Sequence, residues 1–300
     1  MPSLKEVRSR IASVNSTKQI TAAMKMVSAA KLRRAQDAIV RMRPYAEKLG
    51  QIMANVSAGL DPTEGRYGQQ RDVKRTLIVA ITSNRGLAGA FNAQVVRLVK
   101  RRAAQAGGQV HVLSIGKKAM DQFKRTNWHT NELPTDLANL YDDLNFDRVA
   151  PVAELLMARF ADGSYDRIVL VYNKFKNAAT QIVTEEQFLP IAPINASTDA
   201  KEQATMSAEA RRTKTEHIME PDRATIVEQI IPKSLKIQLY KALLDSFAAE
   251  HGARMTAMHK ATDNADGLLK DLRLSYNKAR QAAITGEILE IVGGAEALKG

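Results

Sequence analysis

Both ends of this chain carry helical patterns that are longer than a globular domain requires. From Leu4 onward apolar residues recur at alternating steps of three and four, which is the repeat of a coiled-coil seam. Ser3 and Glu6 have the spacing of a capping box, so we expect the first helix to begin here. It should end near Gly59, and about 55 residues at 1.5 Å each give a rod of roughly 80 Å. Residues 223–298 carry a second helical pattern of roughly 110 Å, and two such helices most simply pair antiparallel.

The seam of the first helix is interrupted by polar residues. Its apolar positions are Leu4, Val7, Ile11 and Val14, then Leu32, Ala35, Ile39, Met42, Ala46, Leu49, Met53 and Val56. Between these two runs the same register holds Lys18, Thr21, Lys25 and Ser28. Apolar residues there point around the whole cylinder, which predicts contacts on more than one side. A local stutter in the coil is the alternative.

The middle of the chain alternates between strand and helix patterns. We predict strands at Thr76–Ile81, Val110–Ile115, Arg167–Tyr172 and Gln181–Leu189, the last one antiparallel at an edge, and helices up to Ala106, at Lys117–Lys124 and at Val149–Phe160. This alternation indicates an open parallel sheet with helices on its faces. The predicted fold class is therefore α/β: a long antiparallel coiled coil of the N- and C-terminal helices with an inserted Rossmann-like α/β domain.

The predicted domain boundaries follow from these patterns. They are a coiled-coil helix at 1–60, a linker at 61–74, the α/β domain at 75–195, a mobile loop and foot strand at 196–222, and a second coiled-coil helix at 223–300. Pro44 should bend the first helix slightly, and Pro232 should mark a kink or a restart in the second.

The C-terminal helix should extend about 20 residues beyond the end of its partner helix. The apolar residues on this unpaired tip are Ile284, Ile288, Ile291, Val292 and Leu298. Soluble monomers rarely expose such a surface, so the tip predicts a partner with an apolar collar. The alternative is that the tip folds back or self-associates.

Composition excludes several classes of protein. The chain contains no cysteine, which excludes disulfides and thiol catalysis. No apolar run approaches the roughly 20 residues that cross a bilayer, and the N-terminus lacks the apolar core of a signal peptide. We therefore expect a soluble protein of a reducing compartment, the bacterial cytoplasm.

No catalytic or ligand-binding motif is evident. The turn Ser83–Gly89 matches neither dinucleotide-binding nor P-loop spacing, so it reads as a structural turn. His111 and His129 have no second ligand at metal spacing. No cofactor is predicted.

Positive charge is concentrated on the first helix. The net charge is +12, and residues 1–60 hold eleven Lys and Arg against three Asp and Glu. A basic helix can bind nucleic acid, an anionic membrane surface or an acidic protein, or it can simply be solvated.

Four separated motifs resemble one family. They are YNKARQAAITGEILEIVGGAEAL at Tyr276–Leu298, ITAAMKMVSAAKL at Ile20–Leu32, SNRGLAGAFN at Ser83–Asn92 and ATDNA at Ala261–Ala265. Together they resemble the gamma subunits of F-type ATP synthases over nearly the whole chain. The resemblance implies the central rotor shaft of a proton-translocating ATP synthase, which lies at the cytoplasmic face of the bacterial plasma membrane and has no active site of its own. Its implied partners are the hexamer of alpha and beta subunits, the epsilon subunit and the membrane c-ring.

The resemblance also assigns residues. Arg280, Gln281 and Thr285 match positions that bind a loop of the beta subunit, and Met24 and Lys25 match a second contact with beta. His217, Glu220 and Asp222 fall in the foot that contacts the ring and epsilon. Some members of the family have an aromatic residue in place of His217.

Two other classes remain open from the residues alone. The basic helix would serve a coiled-coil protein that binds nucleic acid, with affinity falling steeply as salt rises. The central sheet would serve a nucleotide-dependent enzyme, which binding of labelled nucleotide to the isolated chain would reveal.

Overall fold

The computed structural model describes residues 3–57, 66–130, 132–134, 136–191 and 223–297. Its elements are α1 (Leu4–Ser57), β1 (Arg75–Ile81), α2 (Phe91–Gln105), β2 (Gln109–Ile115), α3 (Lys117–Phe123), a 3₁₀ helix (Ala138–Tyr141), α4 (Phe146–Ala161), β3 (Arg167–Phe175), β4 (Gln181–Leu189) and α5 (Arg223–Ala297). The chain divides into two compact units: residues 31–253, which we call the sheet unit, and residues 1–30 with 254–300, which we call the helical-pair unit.

The sheet unit contains a four-stranded mixed sheet in the order β2-β1-β3-β4. β1 pairs in parallel with β2 and with β3, whereas β4 pairs antiparallel with β3 at the edge. The predicted strands and the antiparallel edge strand are confirmed. β1 and β3 are buried on both faces, which explains why their sequences are continuous apolar runs and do not alternate.

Apolar side chains cover both faces of this sheet. On one face α4 and the 235–243 segment of α5 pack against Leu77, Val79, Ile81, Ile168 and Leu170. On the other face α2 and α3 pack against Ile78, Ala80, Val112, Val169 and Val171. The two layers of helix around one sheet make up the predicted α/β architecture.

The helical-pair unit contains two antiparallel helical segments. Arg8 bonds to Tyr276, Lys18 to Asp266 and Thr21 to Thr262, so the partner number falls as the residue number rises. The predicted antiparallel pairing is therefore confirmed for this segment of the coil.

Proline does not end either long helix. Pro44 lies inside α1 and Pro232 lies inside α5. The restart that the sequence suggests at Pro232 is absent, since α5 is continuous from Arg223. Leu235 and Leu239 follow the proline and are fully buried. Packing of this kind offsets the roughly 3 kcal/mol that an interior proline costs.

Candidate partner-binding site

The C-terminal end of α5 exposes a row of large apolar residues. Ile284, Ile288, Leu289, Ile291 and Val292 expose 47, 54, 65, 71 and 54% of their surfaces. Four of them were predicted from the sequence. Leu289 was missed, although it lies one turn after Thr285 and so extends the same helical surface.

This exposure follows from where α1 begins. The three pairs between the segments place residue 8 opposite 276, 18 opposite 266 and 21 opposite 262. On that register Leu4, the first residue of α1, lies opposite residue 280. The helix beyond residue 280 therefore has no partner from α1, and we call residues 281–297 the tip.

Arg280, Gln281 and Thr285 lie at the base of the tip, and all three are exposed. Thr285 Oγ1 donates a hydrogen bond to the carbonyl of Gln281 at 2.9 Å, which leaves the hydroxyl oxygen free to accept. Arg280 and Ile284 are four residues apart, so a guanidinium and an apolar side chain share one helical face. The arrangement presents charged and polar donors beside an apolar surface.

The base of the tip is fixed to the start of α1. Arg8 Nη2 donates to the hydroxyl of Tyr276 at 2.8 Å, and the same guanidinium lies 5.8 Å from the centre of the tyrosine ring. This hydrogen bond, together with the charge of Arg8 and the weaker influence of Arg280, lowers the pKa of Tyr276. The contact holds the last paired turn of α5 where the exposed residues begin.

The polar positions of the first seam form the pairing face of α1. Thr21 and Ser28 are buried, while Lys18 and Lys25 are partly buried. Thr21 Oγ1 lies 2.9 Å from Thr262 Oγ1, and Lys18 Nζ lies 2.5 Å from Asp266 Oδ1. The ITAAMKM and ATDNA motifs thus face each other, which gives their residues a structural role.

Met24 and Lys25 are only partly exposed. The large apolar residues that are exposed on this stretch of α1 are Ile20, Met26 and Val27, which expose 59, 67 and 58% of their surfaces. The polar seam therefore turns apolar side chains outward, as expected for a helix that is touched from more than one side. The sequence pattern alone did not distinguish these three exposed residues from the other apolar residues of this stretch.

The carboxyl edge of the sheet, where α/β folds bind ligands, is closed by its own side chains. Asn84 Oδ1 accepts from the backbone N–H of Lys117 at 3.1 Å, and Asn84 Nδ2 donates to the carbonyl of Ala138 at 2.8 Å. Asn84 therefore caps the first N–H of α3, which a bound phosphate would otherwise use. Ser83 is held in the same way by Asn92.

His111 contacts other side chains of the sheet unit through both of its ring nitrogens. His111 Nδ1 lies 2.8 Å from the hydroxyl of Tyr165 and Nε2 lies 3.1 Å from Gln109. Within the described ranges, no three His, Asp or Glu side chains are grouped as metal ligands.

Four of the predicted site residues lie outside the described residues. They are Leu298 at the tip and His217, Glu220 and Asp222 in the foot. Their assignment remains a prediction.

Comparison with known proteins identifies the family. A family model described as ATP synthase matches residues 3–298. The curated ATP synthase gamma chain of Flavobacterium psychrophilum is 57% identical over the full length of both chains, and that of Flavobacterium johnsoniae is 56% identical, also over the full length of both. This chain belongs to the family of ATP synthase gamma chains.

Solved structures share the fold of this gamma chain. A chain from the central stalk and c-ring of the Tetrahymena thermophila mitochondrial ATP synthase superposes with a TM-score of 0.58 at 26% identity, covering 81% of this chain and 99% of that one. A chain from the rotor of the Euglena gracilis mitochondrial ATP synthase gives 0.63 at 22% identity, covering 94% and 98%. The family places the chain within an enzyme complex. No helix of the described residues is both long and apolar enough to cross a membrane.

Proposed function

We propose that this gamma chain is the non-catalytic rotor shaft of a bacterial proton-translocating ATP synthase, at the cytoplasmic face of the plasma membrane. The observation that carries the proposal is the tip, an exposed apolar helix that continues past its antiparallel partner. Exposing such an apolar surface to water is unfavourable, and enclosing it in an apolar collar removes that unfavourable exposure. A collar formed by alternating alpha and beta subunits supplies such a surface.

The shaft would act by changing the relative stability of beta-subunit conformations. Its two helices differ in sequence on every side, so each beta subunit meets a different surface as the shaft turns. Rotation then shifts the balance between open and closed beta subunits, and nucleotide binding shifts the shaft in return. This coupling is the function that we propose for the chain, and the chain itself would catalyse no reaction.

Arg280, Gln281 and Thr285 would bind a carboxylate-bearing loop of beta. The guanidinium has a planar fork of donors that grips a carboxylate through two hydrogen bonds. Gln281 and Thr285 lie one turn apart and provide neutral donors and acceptors beside it. Met24 and Lys25, with the more exposed Ile20 and Val27, would form a second contact with beta.

The remaining parts of the chain divide accordingly. Residues 1–60 and 223–300 would form the shaft and 75–195 an inserted domain, joined by the linker at 61–74 and by the loop and foot at 196–222. His217, Glu220 and Asp222 would contact the c-ring and the epsilon subunit in the foot. At the turn Ser83–Gly89, Asn84 accepts from the backbone N–H of Lys117, so the start of α3 is already capped by a side chain of this domain.

Replacing Arg280 tests the proposal in the assembled complex. We expect Arg280→Ala to lower ATP turnover about tenfold or more, because a hydrogen bond to a charged group contributes roughly 1.5–3 kcal/mol. Arg273→Ala is the matched control, since Arg273 is an exposed arginine two turns earlier on the same helix.

Co-purification provides a second measurement. Alpha and beta subunits should co-purify with this chain at three copies each per copy of gamma. Equal turnover of both arginine variants and the wild type would remove the role assigned to Arg280. Failure to retain alpha and beta subunits would contradict the rotor proposal itself.

A further inference from the structure

Charge on the sheet unit is divided between the two faces of its sheet. Residues 91–125 hold eight Lys and Arg against one Asp, whereas residues 132–162 hold seven Asp and Glu against two Arg. The first segment contains α2 and α3, which cover one face of the sheet, and the second contains the 3₁₀ helix and α4, which cover the other. The sheet unit therefore has one strongly basic side and one acidic side.

The basic residues of α2 share one exposed surface. Arg97, Lys100 and Arg101 are three and four residues apart, so their side chains lie on the same side of the helix. The apolar side of α2 packs against the sheet, and α2 also contacts α3, which carries further exposed basic residues near both of its ends. We call the six exposed residues of these two helices the basic face: Arg97, Lys100, Arg101, Lys117, Lys124 and Arg125.

The charges of the basic face are not neutralised by the rest of the described chain. None of the six residues forms an ion pair with another described residue. Arg102 on the same helix differs, because its Nε donates to a carboxylate oxygen of Glu185 on β4. The acidic residues across the sheet are screened, since charges interact weakly beyond a Debye length of about 10 Å at 0.1 M salt. An anionic surface placed against the basic face would remove the repulsion among its charges.

The basic face lacks the apolar anchors of a protein-binding surface. Within residues 91–125 no large apolar side chain is exposed, whereas the tip and residues 20–27 of α1 each expose several. Protein interfaces are centred on aromatic and apolar residues, and single-stranded nucleic acid is held by aromatic stacking. An anionic lipid surface needs neither, because it attracts Lys and Arg by its charge alone.

We propose that the basic face binds the anionic lipid headgroups of the membrane surface, through charge and without insertion. The proposal rests on the proposed function, since a rotor shaft at the cytoplasmic face of the plasma membrane would be held beside such headgroups. The contact is reversible and sensitive to salt, because it has no apolar component. The acidic side of the sheet unit is repelled by the same headgroups, so one orientation of the unit towards the membrane is favoured.

Vesicle binding tests the proposal with the full-length chain. We expect the chain to co-sediment with vesicles of phosphatidylglycerol and phosphatidylcholine at about 50 mM salt. Vesicles of phosphatidylcholine alone should bind it at least about tenfold more weakly, since they carry no net charge. Raising the salt to about 200 mM should weaken binding to the anionic vesicles by a similar factor.

A triple variant of α2 locates the binding surface. We expect the change Arg97→Gln, Lys100→Gln and Arg101→Gln to weaken binding to the anionic vesicles at least about twentyfold. Each Lys or Arg near such a surface strengthens binding about fivefold, and the contributions of three neighbours need not multiply fully. The three residues are exposed, so the thermal transition of the variant should match that of the wild type.

Two control variants separate the basic face from net charge. Lys31→Gln, Arg33→Gln and Arg34→Gln together remove the same residue types from exposed positions of α1, and they should weaken binding less than about threefold. Asp142→Asn with Asp143→Asn removes two exposed charges from the acidic side, and it should change binding less than about twofold.

Three results would overturn the proposal. They are equal binding to charged and uncharged vesicles, equal weakening by the α1 and α2 triple variants, and binding of a duplex DNA fragment to the basic face when anionic vesicles do not bind. None of these measurements contains alpha or beta subunits. Failure of the rotor proposal, which co-purification detects, is therefore distinguishable from failure of this one.

Discussion

Asp245 is a carboxyl group in the interior of the sheet unit. It lies on α5 and only 8% of its surface is exposed. Burial raises its pKa to about 6, with Glu186 acting in the same direction, while Lys241, Lys174 and Arg43 act against it. The charged form of Asp245 is therefore less favourable in the folded chain than in the unfolded one.

The sign of the resulting pH dependence follows from this pKa. Between the unfolded pKa near 3.9 and the folded pKa near 6, the folded state binds more protons. The contribution of Asp245 to stability is thus complete below about pH 4 and is lost as the pH rises through about 6. At 1.36 kcal/mol per pKa unit, the loss reaches up to about 3 kcal/mol.

Asp245→Asn should remove this loss. We expect the free energy of unfolding at pH 7.5 to rise by about 1–3 kcal/mol and its decline between about pH 4 and 6 to flatten. Denaturant unfolding of the full-length chain from pH 4 to 7.5 measures both. Asp271→Asn is the control, because Asp271 is an exposed aspartate of the same helix, and its profile should match the wild type. A decline as steep in Asp245→Asn as in the wild type would contradict the assignment.

At the scale of the elements, the turn between α2 and β2 contains two adjacent glycines with different roles. A Cβ at Gly108 would lie 2.2 Å from the carbonyl oxygen of Lys74, whereas one at Gly107 would meet no atom within 4 Å. That carbonyl accepts the hydrogen bond from Gln109 with which the pairing of β1 and β2 begins. The close approach of the two strands therefore requires glycine at position 108 only.

We expect Gly108→Ala to lower the free energy of unfolding by about 1–3 kcal/mol, because the backbone must move to accommodate the methyl group. Gly107→Ala should be neutral or slightly stabilising, since alanine restricts the unfolded chain more than glycine does. Urea unfolding of the two variants makes the comparison. Equal effects would show that the turn adjusts without cost.

The elements themselves were largely predictable from the sequence, and the reasons are local. Buried strands such as Arg75–Ile81 are continuous apolar runs bounded by turn residues, so a few adjacent residues are enough to predict them. The 3₁₀ helix at Ala138–Tyr141 was missed; its first carbonyl accepts a hydrogen bond from the distant side chain of Asn84, a contact that no local pattern contains. The different demands on Gly107 and Gly108 likewise arise from Lys74, and no local pattern contains that information.

At the scale of the whole molecule, the pairing of the two ends was predictable from length and periodicity, but its register was not. In the sequence, Thr21 is a polar interruption of an apolar seam. In the structure, its Oγ1 lies 2.9 Å from Thr262 Oγ1 on the opposite helix. Two polar seams that meet can fix an alignment that purely apolar seams would leave less defined. The tip follows from that register, because α1 begins at Leu4 and α5 continues to Ala297.

The tip should matter for assembly and not for the stability of the chain. Ile288 and Ile291 are 54 and 71% exposed, so replacing both with glutamine should change the free energy of unfolding by less than about 0.5 kcal/mol. In the assembled complex the same change should weaken retention of the alpha and beta subunits, since burying each isoleucine contributes roughly 1.5–3 kcal/mol.

Leu274→Gln is the matched control for this prediction, because Leu274 is 61% exposed on the paired part of α5. Pull-down of alpha and beta subunits over a series of salt and urea concentrations compares the three forms. If the double variant retained its partners as well as Leu274→Gln did, the exposed isoleucines would have no collar. If it instead unfolded at lower urea than the control, these side chains would be packed against their own chain, and the tip would not be the shaft's point of insertion.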